Sequence, residues 1–245
     1  MKTQEYEVLS RVEEGHWWYR ALRRNIFANL DRYLPNWRHE AILDAGCGTG
    51  GNLSRLGTSL RTAGLDYSPE ALRFCRRRGL SNLVRADVAT VPFADRSFAA
   101  VLSAHVLYHA WVADVSQPLR EFHRVLRERG LLFLELPAYD SLYSTHDDAV
   151  MTARRFSAAG LRPQLEAVGF RILRITYWNS LLLPPIWIAR RLLSSKKTES
   201  DFNDGTLPAW PVNTALDLAM CFEHALSRFM NLPAGVTLSC VAQKA

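Results

Sequence analysis

Lysine is almost missing from this chain of 245 residues. Of its 30 cationic side chains only Lys2, Lys196, Lys197 and Lys244 are lysines, so the net charge of +6 is arginine charge. Those arginines are scattered, and neither a recognisable nucleic-acid module nor a basic aromatic face accompanies them, so we read them as solvated faces and expect no nucleic-acid partner. Cysteine is also scarce. Cys47, Cys75, Cys221 and Cys240 show neither paired nor metal-type spacing, which argues against a disulfide framework and for a reducing, cytoplasmic setting. Long apolar runs are absent too. The longest, Leu181–Leu193, is broken by Pro184, Pro185, Arg190 and Arg191, and falls short of the about 20 clean residues a spanning helix needs. The opening MKTQEYEVLSRVEEGHWW has no apolar core of the signal-peptide kind. No repeat or low-complexity tract is visible. What remains is 48% hydrophobic and 11% aromatic, enough to fill the core of one large globular domain.

From about residue 40 short apolar runs alternate with helical stretches. Ala41–Asp44 reads as a buried strand ending in a cluster of Gly46, Gly48, Gly50 and Gly51. Thr62–Asp66 reads as a second strand, followed by Ser68-Pro69-Glu70, an N-cap with proline at the first helical position. Strands are predicted at Asn82–Asp87, Phe98–Ser103 and Leu131–Leu136, with a helix starting near Pro118. This alternation predicts parallel βαβ units in a doubly wound α/β sheet. Before it, Trp18, Leu22, Ile26, Leu30 and Leu34 recur every four residues, an amphipathic helix whose stripe Trp18 heads. After it we expect a helix over 152–168 and a strand over Phe170–Trp178. An irregular excursion over 184–212, a helix capped by Asn213 and a last strand at Val236–Ala242 should follow.

Gly46-Cys47-Gly48-Thr49-Gly50-Gly51 fits G-x-G-x-x-G, by itself a weak dinucleotide signal. The motif works by pointing helix N-terminal N–H groups at a diphosphate. Asp44, two residues before the first glycine, would oppose that charge and would suit a ligand bearing an ammonium and a sulfonium. Asp66 ends the second strand 22 residues later, where a carboxylate can accept from ribose hydroxyls, and Asp87 ends the third, within reach of an adenine amino group. Ligands of open α/β sheets bind along that carboxyl edge. One such Asp is ordinarily a turn residue; three with a glycine loop agree on a nucleoside site.

Ile42–Gly50, Gly64-Leu65-Asp66-Tyr67-Ser68, Arg85-Ala86-Asp87-Val88 and Val106-Leu107-Tyr108-His109 together resemble the motifs of class I S-adenosylmethionine-dependent methyltransferases. The resemblance spans about residues 16–180. It implies a Rossmann-like, seven-stranded, mostly parallel sheet with helices on both faces and an antiparallel last strand. It divides the chain into a helical lid (1–38), a cofactor-binding core (39–180), a helical cap (181–234) and a final core strand (235–245). Carried over residue by residue, it places Gly46, Cys47 and Gly48 at the methionine moiety and Asp44 at its amino group. Asp66 falls at the ribose, Tyr67 on the adenine, Asp87 and Val88 at the adenine edge, and Ser103 beside the cofactor. Ala99 stands where relatives carry an acid, Arg129-Gly130 where they carry two glycines, and Tyr108 where many carry Glu.

His16-Trp17-Trp18-Tyr19-Arg20 resembles the lid of a subset of that family. Its rings either exclude water from a cationic methyl donor or simply pack the first helix, and Tyr19 with Arg23, one turn apart, can reach the methionine carboxylate. His105 and His109, four apart on an expected helical turn, lack a third ligand, so no metal is expected. His105 and, past the fifth strand, His146 are candidate general bases, with a structural role as the alternative. Arg154 and Arg155 either meet an acidic acceptor or begin a solvated helix. Trp178–Leu193, with Lys196 and Lys197 behind it, either lines an apolar acceptor pocket or rests on a membrane surface. The expected function is methyl transfer from S-adenosylmethionine to a small, apolar or natural-product-like molecule at O, N or C. A nicotinamide-dependent oxidoreductase and a cofactor-binding partner subunit are the alternatives, and the sequence is silent on oligomeric state.

Overall fold

The computed structural model describes residues 3–57, 61–144, 147–148, 150–193 and 206–245. Seven strands form one sheet in the order β3-β2-β1-β4-β5-β7-β6. They are β1 (Ile42–Ala45), β2 (Thr62–Asp66), β3 (Leu83–Arg85), β4 (Phe98–Ala104), β5 (Leu126–Pro137), β6 (Phe170–Trp178) and β7 (Thr237–Lys244). β3, β2, β1, β4 and β5 run parallel, and β7 lies antiparallel between β5 and β6. The central strands are mostly apolar because both their faces are covered. Alternate residues go to opposite layers: Leu43, Val101 and Leu132 join Leu119 and Phe122 on one side, while Ile42, Leu102 and Phe133 join Ile26 and Leu30 on the other. β5 begins five residues earlier than its apolar run suggests, after a register shift between Phe98 and Ala100.

The helices are α1 (Thr3–Val12), α2 (Trp17–Tyr33), α3 (Gly51–Leu56), α4 (Pro69–Arg77), α5 (Ser116–Val125), α6 (Ala158–Ala167), α7 (Leu183–Leu193) and α8 (Trp210–Ser227). Ser68 caps α4 by accepting from Ala71 N–H at 3.4 Å, as its sequence predicts. Four expectations need correction. Trp17, not Trp18, joins Leu22, Ile26 and Leu30 in the core, and Trp18 turns half-buried toward the cleft above β4. The helix expected over 152–168 starts at Ala158, because 152–157 runs extended, Phe156 exchanging backbone hydrogen bonds with Pro137 and Tyr139. The expected irregular stretch begins as a helix, α7, since Pro184 and Pro185 occupy its first turn, where no intrahelical N–H is needed. Pro211 likewise lets α8 start at Trp210. Asn213 therefore caps nothing in its own helix; its Oδ1 accepts from Trp17 N–H at 3.0 Å and its Nδ2 donates to Gly15 O at 3.0 Å, tying α8 to the start of α2.

β1 turns sharply at its carboxyl end. Gly46 and Cys47 donate their N–H groups to Leu65 O at 2.7 and 2.9 Å, which requires Gly46 at φ +86°. A Cβ on Gly46 would overlap Val106 Cγ2. Gly46→Ala should therefore cost about 2 kcal/mol or more through combined overpacking and backbone strain, read as a lowered thermal midpoint of the ligand-free protein. An unchanged midpoint would refute this account of the turn.

Candidate active site

A cavity of about 700 Å³ opens at the carboxyl edge of the sheet. Its floor is the loop Gly46-Cys47-Gly48-Thr49, followed by Asp66, Tyr67, Asp87 and Val88 from the ends of β2 and β3. Asp66 holds this edge together: Oδ2 accepts from Gly48 N–H at 2.9 Å and Oδ1 from Ser68 N–H at 2.8 Å. Burial raises its carboxyl above the usual range, opposed by those two backbone bonds. Each oxygen keeps a second lone pair for a ligand hydroxyl. Gly48 has no atom within 4 Å of where a Cβ would stand, so its backbone is open to close approach. Asp87 Oδ1 accepts from Ala89 N–H at 2.8 Å, and Tyr67 stands 60% exposed at the rim. Cys47 Sγ lies 3.9 Å from Cys75 Sγ, and that contact together with burial holds its thiol well above the ordinary range.

Asp44 and Ser103 do not line the cavity. Asp44 is sealed beneath the loop, 1% exposed with both carboxylate oxygens unpartnered, and Ser103 Oγ is buried without a partner as well. Burial first, then the charges of Asp66 and Glu13, push the Asp44 carboxyl up to about 7.

The N-terminal helices cover the cavity. Tyr19 and Arg23 both reach it, as sequence suggests. Arg23 is 2% exposed, donating to Glu13 O and lying 3.5 Å from Glu14 Oε2. Glu13, which our sequence reading did not single out, is the second anchor. Its carboxylate accepts from Thr49 Oγ1 at 2.6 Å, pairs with Arg78 of α4, and lies so close over Gly51 that a Cβ there would collide with it. Two adjacent glutamates before an aromatic run give no sequence signal of which one turns inward. Trp18 packs edge-on against His105 with ring centres 4.9 Å apart and tilts against Trp178 at 5.9 Å.

The far end of the cavity is walled by Trp111, Met151, Ile186 and Val236, with Asn179, Asp147 and Arg155 among them. His105 and His109 do not share a helical turn; residues 106–112 form turns, and His105 sits at φ +56°. His109 Nδ1 faces Val150 O at 3.0 Å, its ring stacks on Trp111 at 3.8 Å, and burial drops it to about 3. It is therefore neutral at physiological pH and donates that bond, a structural histidine. Among the described residues no His, Cys, Asp or Glu group could hold a metal. Arg155 is not at a solvated helix start: its guanidinium clasps Asp147 through two bonds of 2.8 Å with both side chains buried, and it donates to Ala138 O at 3.0 Å. Arg154 donates to Val112 O at 2.6 Å. His146, Lys196, Lys197 and the side chains of Arg190 and Arg191 lie outside the described residues.

Because the folded Asp44 carboxyl titrates near 7 and the unfolded one near 4, its contribution is complete below about pH 4 and lost as pH rises to 7. Asp44→Asn should thus gain on the wild type by roughly 2–3 kcal/mol between pH 4.5 and 7.5 and hold that gain above. Thermal melts of both ligand-free proteins across pH check it, and parallel curves would contradict the buried charge.

Residues 43–134 match the family model described as "Methyltransferase domain". The chain is 39% identical over 108 residues to a fatty-acid O-methyltransferase of Mycolicibacterium smegmatis, covering 40% of this chain and 38% of that protein. It is 35% identical over 123 residues to a malonyl-[acyl-carrier protein] O-methyltransferase of Enterobacter lignolyticus, covering 49% and 47%. The chain thus spans about half or less of these relatives' length. A solved S-adenosylmethionine-dependent methyltransferase of Thermotoga maritima shares the fold at a TM-score of 0.61, 16% identity and coverage of 99% and 96%. Over residues 43–134 the chain is thus similar to methyltransferase domains, and its sheet shares the fold of a solved S-adenosylmethionine-dependent methyltransferase.

Proposed function

We propose that the protein transfers a methyl group from S-adenosylmethionine to a small apolar acceptor. The carrying observation is that one cavity joins the glycine loop and its acids to an apolar chamber under the aromatic lid. The residues suit the donor: an open backbone at Gly48, free lone pairs on Asp66, and an orphaned carboxylate at Asp44 behind the loop. Bound there, S-adenosylmethionine supplies an electrophilic methyl group on a sulfonium. Asp66 takes the ribose hydroxyls, Tyr67 covers the adenine, and Asp87 with Val88 reads its edge. Gly46, Cys47 and Gly48 line the methionine end, whose carboxylate falls to Tyr19 and Arg23 and whose ammonium is balanced by Asp44. Ser103 supports the floor.

At the acceptor end Trp18 excludes water, and His105 is the group positioned to take a proton from the acceptor. His109, held neutral and hydrogen-bonded, does not serve as that base. Arg155 is neutralised by Asp147, so it offers no free cation to the chamber, and the wall of Trp111, Met151, Ile186 and Val236 favours an apolar substrate. Such a displacement depends mainly on proximity and orientation, so His105→Ala should slow but not abolish turnover. The four free thiols suit a reducing cytoplasm.

Calorimetric titration should show binding of S-adenosylhomocysteine and none of NADH. Asp66→Ala should weaken that binding by about 2 kcal/mol, the loss of charge-assisted hydrogen bonds. Binding of NADH instead, or an unchanged affinity in Asp66→Ala, would overturn the donor assignment.

A further inference from the structure

Eleven of the fifteen well-exposed large apolar side chains among the described residues lie between Leu181 and Met230. Five of them belong to α8, whose amphipathicity is inverted, and Phe229 and Met230 follow just after it. Its two acids point inward: Asp217 pairs with Arg20 at 2.8 Å and Arg24 at 3.0 Å, and Glu223 accepts from the N–H groups of Asn179, Ser180 and Leu181. Leu218, Phe222, Leu226 and Phe229 recur every three or four residues on its outer side, with Leu218 63%, Phe222 66% and Phe229 89% exposed. Trp210, 79% exposed, stands at its start. No exposed acid occurs in the described parts of 181–231, since Asp217 and Glu223 are buried.

Phe229 also lines a second cavity, of about 720 Å³, between α2, β6 and the end of α8. Arg32, Arg174 and Arg228 meet there beside His224. Arg174 donates to Asn231 Oδ1 at 3.0 Å, Asn29 Oδ1 at 3.3 Å and Ser227 O, all neutral acceptors, and no ion pair of Arg174 is found among the described residues. The one carboxylate lining the cavity, Asp31, already accepts from Trp37 Nε1 at 2.8 Å and lies 3.8 Å from Arg38. Burial and the neighbouring arginines hold His224 below its ordinary pKa, so the imidazole does not add a balancing charge of either sign. An apolar stripe thus runs into a pocket where three guanidinium groups meet a single carboxylate, that of Asp31.

We propose that this face docks on an anionic phospholipid surface. The stripe of α8 enters the interfacial layer with Trp210 at headgroup level, and lipid phosphate sits among Arg32, Arg174 and Arg228. Neutral apolar groups with no exposed acid suit such a surface better than an acidic protein, whose docking needs the cations across the whole interface. The surface abuts the acceptor chamber through α7, where Ile186 lines the chamber while its neighbours Trp187 and Ile188 face out. This inference stands apart from the methyl-transfer reading, because it rests on the outer face alone.

The test is sedimentation of the intact chain with vesicles of phosphatidylcholine alone or with 30% phosphatidylglycerol, about the anionic fraction that gives a strong surface potential. Binding should be at least fivefold stronger to the phosphatidylglycerol vesicles and should fall as salt rises. The double variant Phe222→Glu with Phe229→Glu should lower binding to both by tenfold or more. Arg32→Glu with Arg228→Glu should erase only the preference for phosphatidylglycerol. Both variants should keep the wild-type affinity for S-adenosylhomocysteine, which shows they are folded. Three results would overturn the proposal: no sedimentation with either vesicle, equal binding to both, or a micromolar dimer in solution that the phenylalanine variant splits, since the stripe would then cover a second copy.

Discussion

One carboxylate on β2 holds the ligand edge of the sheet in shape. The loop after β1 must leave the plane of the sheet within three residues, and its N–H groups have no ladder partners once it does. Gly46 and Cys47 find Leu65 O, and Gly48 finds Asp66, so the loop is clamped to the neighbouring strand. The same carboxylate takes Ser68 N–H and thereby starts α4 at its cap. The clamp forces the positive φ of Gly46 and brings it under Val106, which leaves no room for a side chain. The proposed binding surface and the fold are therefore one structure at this edge, and a change in Asp66 acts on both.

The N-terminal helices that cover the cavity are joined to that edge by charge rather than by chain continuity. Glu13 reaches from the end of α1 to Thr49 in the loop and to Arg78 at the end of α4. Burial raises its carboxyl, and the Thr49 hydroxyl with the Arg78 and Arg23 charges offsets part of that cost. On their other side these helices are held by α8, through Asn213 at the start of α2 and Asp217 at Arg20 and Arg24. Two partly buried ion-pair groups flank Trp18, which leaves its indole to face His105 rather than the core. Paired carboxylates of this kind resist removal of one partner more than they add stability, so their value lies in fixing geometry.

The core of this arrangement was legible because each signal was local. Asp66 ends β2, Asp44 lies one residue before the end of β1 and Asp87 two residues past β3, all beside strands that hydrophobic runs reveal, and Gly46 and Gly48 sit where a sharp turn demands them. What escaped was non-local. Nothing in the neighbourhood of Asn213 says that it serves a helix nearly two hundred residues earlier, and nothing near Glu13 says that it meets Thr49 rather than solvent. The pairing of Arg155 with Asp147 was not legible because the intervening path depends on bridges of Thr152 to His109 and of Phe156 to Ala138. The prolines of α7 were read as breakers although two prolines in a first helical turn cost no hydrogen bond. The exchange of Trp17 for Trp18 is a 100° rotation that a four-residue spacing does not resolve.

The outer face of α8 follows from the same accounting of charge. A surface helix ordinarily keeps its acids in water, where they cost nothing. Here Asp217 is needed on the inside to hold Arg20 and Arg24, and Glu223 is needed to satisfy three N–H groups where the chain leaves β6 at Asn179, itself at φ +59°. Those demands turn both acids of the helix inward. Solubility alone would then favour polar residues at 218, 222, 226 and 229, because all four are exposed. Leucine and phenylalanine stand there instead, beside three arginines gathered around a single acid, Asp31. An isolated exposed apolar residue needs no explanation, but a stripe of them joined to clustered cations does. Holding α2 and the turn after β6 accounts for the missing acids, and a partner that is both apolar and anionic accounts for what replaced them.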